Sequence, residues 1–190
     1  MVFAGFDSQP THQIKEKNMI TYNQIQNEDS YLNDRGSCTV VATAIACQVP
    51  FIEAQKCLSK LGRRKNHGFP FIKHFRSIAS NFNYIADCYT PITVNGIIHY
   101  RNRKGLKITN KPLNRLTSLT INNAPKLLPE IGTFVLNVDG HVATLRDGII
   151  EDWSRGSKRQ VYALYKFDKI QKKKNKPSKI SSGYDFSKFI

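Results

Sequence analysis

The chain has 190 residues, of which 40 % are hydrophobic and 11 % aromatic, and a formal net charge of +15. That length and composition suit one globular domain that buries a core without staples, and no apolar run approaches the ~18 residues a membrane-spanning helix needs. Twelve Lys and Arg against the single acid Asp87 give residues 60–115 a net charge of +11, and eight Lys against Asp168 and Asp185 give 166–190 a further +6; such a field attracts nucleic acid, an acidic protein or a lipid surface, or else forms a solvated basic face.

Residues 1–33 are polar and weakly periodic, and read as an irregular N-terminal arm. The segment CTVVATAIAC, 38–47, is apolar on nearly every side, the mark of a central buried helix. Asp34 or Ser37 is placed to cap its start, and Val49-Pro50 ends it. A second helix begins at Pro50, with Phe51, Ala54, Leu58 and Leu61 on one stripe and Gly62 as its C-terminal stop. A third is expected over 70–80, with Ile72, Phe75, Ile78 and Ala79 inward. Residues 84–118 read as short strands and basic loops of unassigned order, and 122–129 as a helical turn.

From Phe134 the period becomes two. Asp139-Gly140 and Asp147-Gly148 separate alternating runs, a strong hairpin signal. A last strand, Tyr162 to Phe167, joins this sheet. The expected architecture is therefore α+β: a helical part, 34–80, on a sheet part, 84–167, with a basic flexible tail at 168–190 in which Tyr184, Phe186 and Phe189 are the apolar exceptions.

The hairpin register follows from its turn. If Asp147-Gly148 is a two-residue loop, Arg146 pairs with Ile149 and Ala143 faces Asp152. His141 is then a diagonal neighbour of Asp152 at ~7–8 Å, on the face that carries Leu145 and Ile150. A slip of one residue separates the two. A His beside an Asp at the edge of an apolar face needs a reason, and Cys38 supplies one. A thiolate at a helix N-terminus is stabilised by unpaired N–H groups and the helix dipole. An adjacent imidazole takes its proton, and a carboxylate orients the imidazole. The expected catalytic residues are Cys38, His141 and Asp152. His12, His67, His74 and His99 lack comparable surroundings. Cys47 and Cys57 fall on apolar helix positions as small buried hydrophobes. With Cys88 they form no C-x-x-C pair, so neither metal nor cofactor is expected.

These residues carry a resemblance. The stretch GSCTVVATAIA, followed by a helix ending LSKLG, is similar to the nucleophile region of small papain-like cysteine peptidases, notably those encoded by bacteriophages. The stretch GTFVLNVDGHVATLRDGIIEDW resembles the His and Asp strands of the same family. Together the two blocks cover 38–62 and 132–167. The resemblance implies a papain-like fold, Cys38 as nucleophile, His141 as general base and acid, and Asp152 as orienter. The family places a Gln shortly before the nucleophile to hold the oxyanion. Here the sequence departs from the family: the nearest amide is Asn33, with Gln26 farther upstream, which leaves the oxyanion hole to Asn33 or to another group, or poorly formed with weak or lost activity. The resemblance gives Trp153, next to Asp152, a shielding role over the His–acid pair.

The expected activity is a thiol hydrolase cleaving a peptide or isopeptide bond. The same triad also serves amidases and acyltransferases, and a third reading is a papain-like scaffold whose basic segment 60–115 binds nucleic acid or an acidic host protein. The first ten residues show no basic region followed by an apolar stretch. The expected location is a cytoplasm, that of the host for a phage-encoded chain, with association to a virion open.

Overall fold

The computed structural model describes residues 19–109, 113 and 118–171. The first eighteen residues of the N-terminal arm and residues 172–190 of the basic tail lie outside them. Five helices come first: α1 (Tyr22–Ile25), α2 (Asp29–Leu32), α3 (Cys38–Cys47), α4 (Phe51–Lys60) and α5 (Phe71–Asn81). Strands β1 (Tyr84–Val94) and β2 (Ile97–Arg101), helix α6 (Ala124–Leu127), and strands β3 (Thr133–Val138), β4 (His141–Arg146), β5 (Ile149–Ile150) and β6 (Ala163–Lys169) complete the fold.

The strands form one open antiparallel sheet in the order β2-β1-β6-β3-β4-β5. The last strand in sequence thus runs between β1 and β3 and joins two hairpins into one sheet. It continues to Lys169, past the expected end at Phe167. Each side of the sheet has its own core. Val135, Val142, Tyr165 and Phe167 face α3, α4 and α5. Their alternate neighbours Phe134, Leu136, Ala143, Leu145 and Leu164 pack with Tyr100, Leu113, Leu119 and Ile121 on the other side. Tyr100 Oη donates a short hydrogen bond to the Val161 carbonyl, which ties β2 to that second core.

The helix signals translate directly. In α3 every residue from Thr39 to Cys47 is buried, as an all-round apolar helix requires. Helix α4 stops as Gly62 takes φ +101°, and Arg63 N–H returns to the Leu58 carbonyl at 2.9 Å, the Schellman bond. Four expectations fail. Ile72 does not face inward on α5: it is exposed, and Phe71 takes the buried place beside Phe75, Ile78 and Ala79. Asp34 does not cap α3: its carboxylate is buried in a two-pronged ion pair with Arg63 at 2.9 Å and accepts also from Gln55 and the Asn66 N–H. Ser37 stands at the N-cap position, but its side chain makes no capping bond. The described part of the arm is not irregular, since α1 and α2 form single turns. Ile25 at the end of α1 is fully buried in the helical core.

The segment 84–118 contains a longer strand than expected. β1 runs for eleven residues and turns into β2 through Asn95-Gly96, both at positive φ (48° and 75°). That is the primed two-residue turn which matches strand twist, and the Asn-Gly pair is its direct signal. Among the described residues no single helix is long and apolar enough to cross a membrane.

Candidate active site

Cys38 is the first residue of α3. The loop before it is held from both sides. Gly36 takes φ +74° and lies so close to the 66–68 backbone that an added Cβ would sit 3.3 Å from the His67 carbonyl carbon. Arg35 N–H donates to Asn66 Oδ1 at 2.8 Å, and the buried Arg63–Asp34 pair fixes the same loop to the end of α4. Thr39 Oγ1 donates to the Phe69 carbonyl. The thiol position is therefore set by packed backbone on two elements.

His141 opens β4. Asp139-Gly140 turns the chain with Gly140 at φ +64°, and Val138 pairs with His141 across the turn. The second hairpin has the expected register, with Arg146 opposite Ile149 and Leu145 opposite Ile150. Asp147 and Gly148 both take positive φ (47° and 77°), so this turn is also primed. Pairing continues as Glu151 N–H donates to the Thr144 carbonyl at 2.8 Å. It then stops, and Asp152 lies in a bend after β5 and not on a strand. The expected face needs a second correction. Ala143, Leu145 and Ile150 point into the core opposite the helices, whereas Cys38 packs against the helical core. His141 can meet Cys38 because it is the first residue of its strand, at the end of the ladder beside the turn.

The three side chains come together there. His141 Nε2 donates to Asp152 Oδ2 at 2.8 Å, with both side chains almost fully buried. The same oxygen accepts from Ser154 N–H at 2.9 Å and from Ser154 Oγ, so the carboxylate is oriented by three donor atoms of its own loop and sheet. With Nε2 engaged, Nδ1 is the ring nitrogen left for Cys38, which lines the same two hollows as His141. Burial opposes the charge on His141, but the hydrogen bonds to Asp152 and Cys38 and the charges beside them outweigh it and hold its pKa up to about 9. Burial likewise opposes a thiolate at Cys38. The hydrogen bond and charge of His141, with the Val142 N–H and the Thr39 hydroxyl, prevail and hold the thiol below its ordinary value. Burial pushes Cys47, Cys57 and Cys88 the other way. Of the four cysteines, Cys38 alone has its thiol shifted toward the charged form, beside a ring whose protonated form is favoured.

Trp153 does not enter the core. It is 60 % exposed, and its ring lies 4.9 Å from the His141 ring, centroid to centroid. Asn33 is placed elsewhere: its amide donates to the Asp29 carbonyl of its own helix turn at 2.9 Å, and it lines neither hollow beside Cys38. Gln26, at the end of α1, lines neither hollow as well.

Two hollows flank the Cys38–His141 pair, and Cys38, Gly140 and His141 belong to both. One, of about 280 Å³, is walled by Phe69, Phe71, Ile72 and Asn137. The other, of about 430 Å³, is walled by Tyr31, Asp34, Gly36 and Trp153. A chain laid across the pair has room on each side. Asn137, half-buried on β3, is the carboxamide on the first wall, and the sequence carried no signal for it beyond a polar residue within an apolar strand. Among the described residues no group of three His, Cys, Asp or Glu could hold a metal ion.

Compared with protein-family models, curated proteins and solved structures, the chain matches none of them. The mixed α+β architecture with its open six-stranded antiparallel sheet therefore stands on its own geometry.

Proposed function

We propose that this protein is a papain-like cysteine hydrolase that cuts a peptide or isopeptide bond through Cys38, His141 and Asp152. One observation carries the reading: His141 is hydrogen-bonded to Asp152 through Nε2 and, together with Cys38, lines both of the hollows that meet there. The Cys38 thiolate attacks the scissile carbonyl carbon and forms a tetrahedral oxyanion. That oxyanion collapses to a thioester as the imidazolium of His141 gives its proton to the departing amine. A water then attacks the thioester, its proton passing to His141, and the acid product leaves with the thiolate restored. Asp152 keeps the ring oriented and steadies its charge throughout.

The oxyanion needs donors. The N–H groups of the first turn of α3 have no intrahelical acceptor, and the Asn137 amide faces the same hollow. We assign the side-chain donor to Asn137, because the Asn33 amide is already committed to its own helix.

Mass spectrometry of a denatured protein mixture incubated with the full chain tests the reading. New N-termini are expected with wild type and none with Cys38→Ala. An amidase or acyltransferase leaves polypeptides uncut, so a chain that alkylates fast at Cys38 yet produces neither new N-termini nor newly freed lysine ε-amines belongs with those. Iodoacetamide is expected to label Cys38 far faster than the other three cysteines near neutral pH, and equal rates overturn every thiol-based reading.

A further inference from the structure

A third hollow, of about 570 Å³, lies next to the first, and Ile72 lines both. Its walls are the outer side of α5 and the β1–β2 hairpin. Arg76 stands one helical turn after Ile72 on α5, with its guanidinium carbon 5.3 Å above the Phe75 ring. Arg101 lies opposite Thr90 on the hairpin, and Arg103 follows in the turn after β2. Cys88 forms part of the floor; burial and the Asp87 charge push its thiol up, and Tyr165 and the charges of Arg76 and Arg103 pull against that.

No carboxylate lines this hollow. Among the described residues none of the three arginines pairs with an acid, and Arg101 Nε is buried without a hydrogen-bond partner. Three like charges around one cavity repel each other, and a desolvated N–H without an acceptor is costly. An anionic partner removes both penalties, and the guanidinium fork fits a carboxylate with two parallel bonds.

We propose that this arginine hollow is a substrate subsite that takes an acidic side chain of the polypeptide whose neighbouring residues cross Ile72 into the Cys38 hollow. The inference rests on the reading of that hollow as a substrate cleft. Two features favour polypeptide over nucleic acid. Continuity with the Cys38 hollow runs through an apolar side chain, 52 % exposed, with no phosphate-binding row. Phe75, the aromatic ring on the wall, is 8 % exposed and lies under Arg76, so it offers no free face for a base to stack on.

Fluorescence anisotropy of the full-length Cys38→Ala chain tests the site without turnover. The probes are a labelled Glu/Asp-rich decapeptide, its Gln/Asn counterpart and a single-stranded DNA decamer. The acidic peptide is expected to bind at least about tenfold tighter than the amide counterpart. Arg76→Gln with Arg103→Gln is expected to abolish that preference, and Arg76→Glu with Arg103→Glu to move it to a Lys-rich peptide, with unchanged thermal melting for both. Saturating acidic peptide is expected to slow iodoacetamide alkylation of Cys38 in wild type. Equal binding of the two peptides, an acidic preference that survives both double variants, or tighter binding of the DNA through the same arginines overturns the subsite. So does alkylation that the bound peptide leaves unchanged. Binding and protection need no bond cleavage, so they stand or fall separately from the hydrolase reading. Cleavage with no acidic preference sinks the subsite alone.

Discussion

At the scale of single residues the chemistry depends on which groups share a proton. His141 is held above its ordinary 6.5, to about 9, and Cys38 below its ordinary 9.0. A folded imidazole that keeps its proton past pH 6.5 makes stability fall as pH rises towards 9. A folded thiol that loses its proton below pH 9 makes stability rise over the upper part of the same window. In wild type the two slopes oppose each other. Cys38→Ala removes the thiol slope and the part of the His141 shift that Cys38 supplies, leaving the part due to Asp152, so the variant is expected to lose stability over a narrower window as pH climbs above 6.5, by at most ~1.4 kcal/mol per pH unit. Urea denaturation at several pH values checks this, and a wild type that falls as steeply contradicts a coupled pair. The oxyanion assignment is tested by two amides. Asn137→Ala is expected to cost ~10²–10³ in kcat, and Asn33→Ala nothing measurable, by turnover of whichever peptide the digest identifies.

At the scale of elements, the loop 34–37 decides where the thiol sits. A buried ion pair is weak evidence for net stability, yet removing one partner strands the other charge. Both side chains of the Arg63–Asp34 pair are fully buried. Arg63→Ala is therefore expected to destabilise the fold by about 3–5 kcal/mol, while Arg63→Met with Asp34→Leu recovers much of that loss; chemical denaturation measures both. The double variant is also expected to alkylate more slowly at Cys38, since Asn66 and Gly36 lose their anchor. A second clamp holds the other half of the site. Arg146 pairs with Glu151 at 2.7 Å and donates to the Ile20 carbonyl, and Glu151 accepts from the Tyr22 N–H. The residue next to Asp152 thus tethers the hairpin to the chain ahead of α1. Neither clamp has a local pattern. Asp34 and Arg63 are 29 positions apart, so Asp34 read from its neighbours looks like a helix cap.

At the scale of the whole molecule, β6 is the joint. It pairs with β1 on one side and β3 on the other, and its alternating residues enter both cores. A chain ending before Ala163 leaves β1–β2 and β3–β4–β5 as separate pieces with two exposed apolar faces. That truncation is expected to abolish cooperative thermal unfolding, as followed by circular dichroism. A truncated chain that melts like the full one contradicts the central role of β6. The same arrangement leaves the β1–β2 hairpin beyond β6 on the far edge of the sheet. There the arginines meet the outer side of α5 and extend the line of hollows from Cys38.

Local patterns were enough for much of this protein. An all-round apolar run specified α3, because no exposed face was left for water. Gly62 stopped α4, because only glycine enters that conformation cheaply. Two Asp-Gly turns set the register of β4 and β5, because a primed turn fixes which residues lie opposite. From these came Cys38, His141 and Asp152 as candidates. Asn95-Gly96 carried the same signal for β1–β2, and the missing hairpin was legible there. The rest depended on residues far apart in the chain. Tertiary packing decided that the sheet has a core on each side, so alternation alone could not say which face meets α3. It placed Asp152 in a bend after the ladder, engaged the Asn33 amide within its own helix, and brought Asn137 to the Cys38 hollow. It also gathered Arg76, Arg101 and Arg103 from a helix, a strand and a turn around one cavity. Short-range sterics and hydrophobic period determine elements and registers; which polar side chains converge is set by how those elements stack, and no local period encodes that.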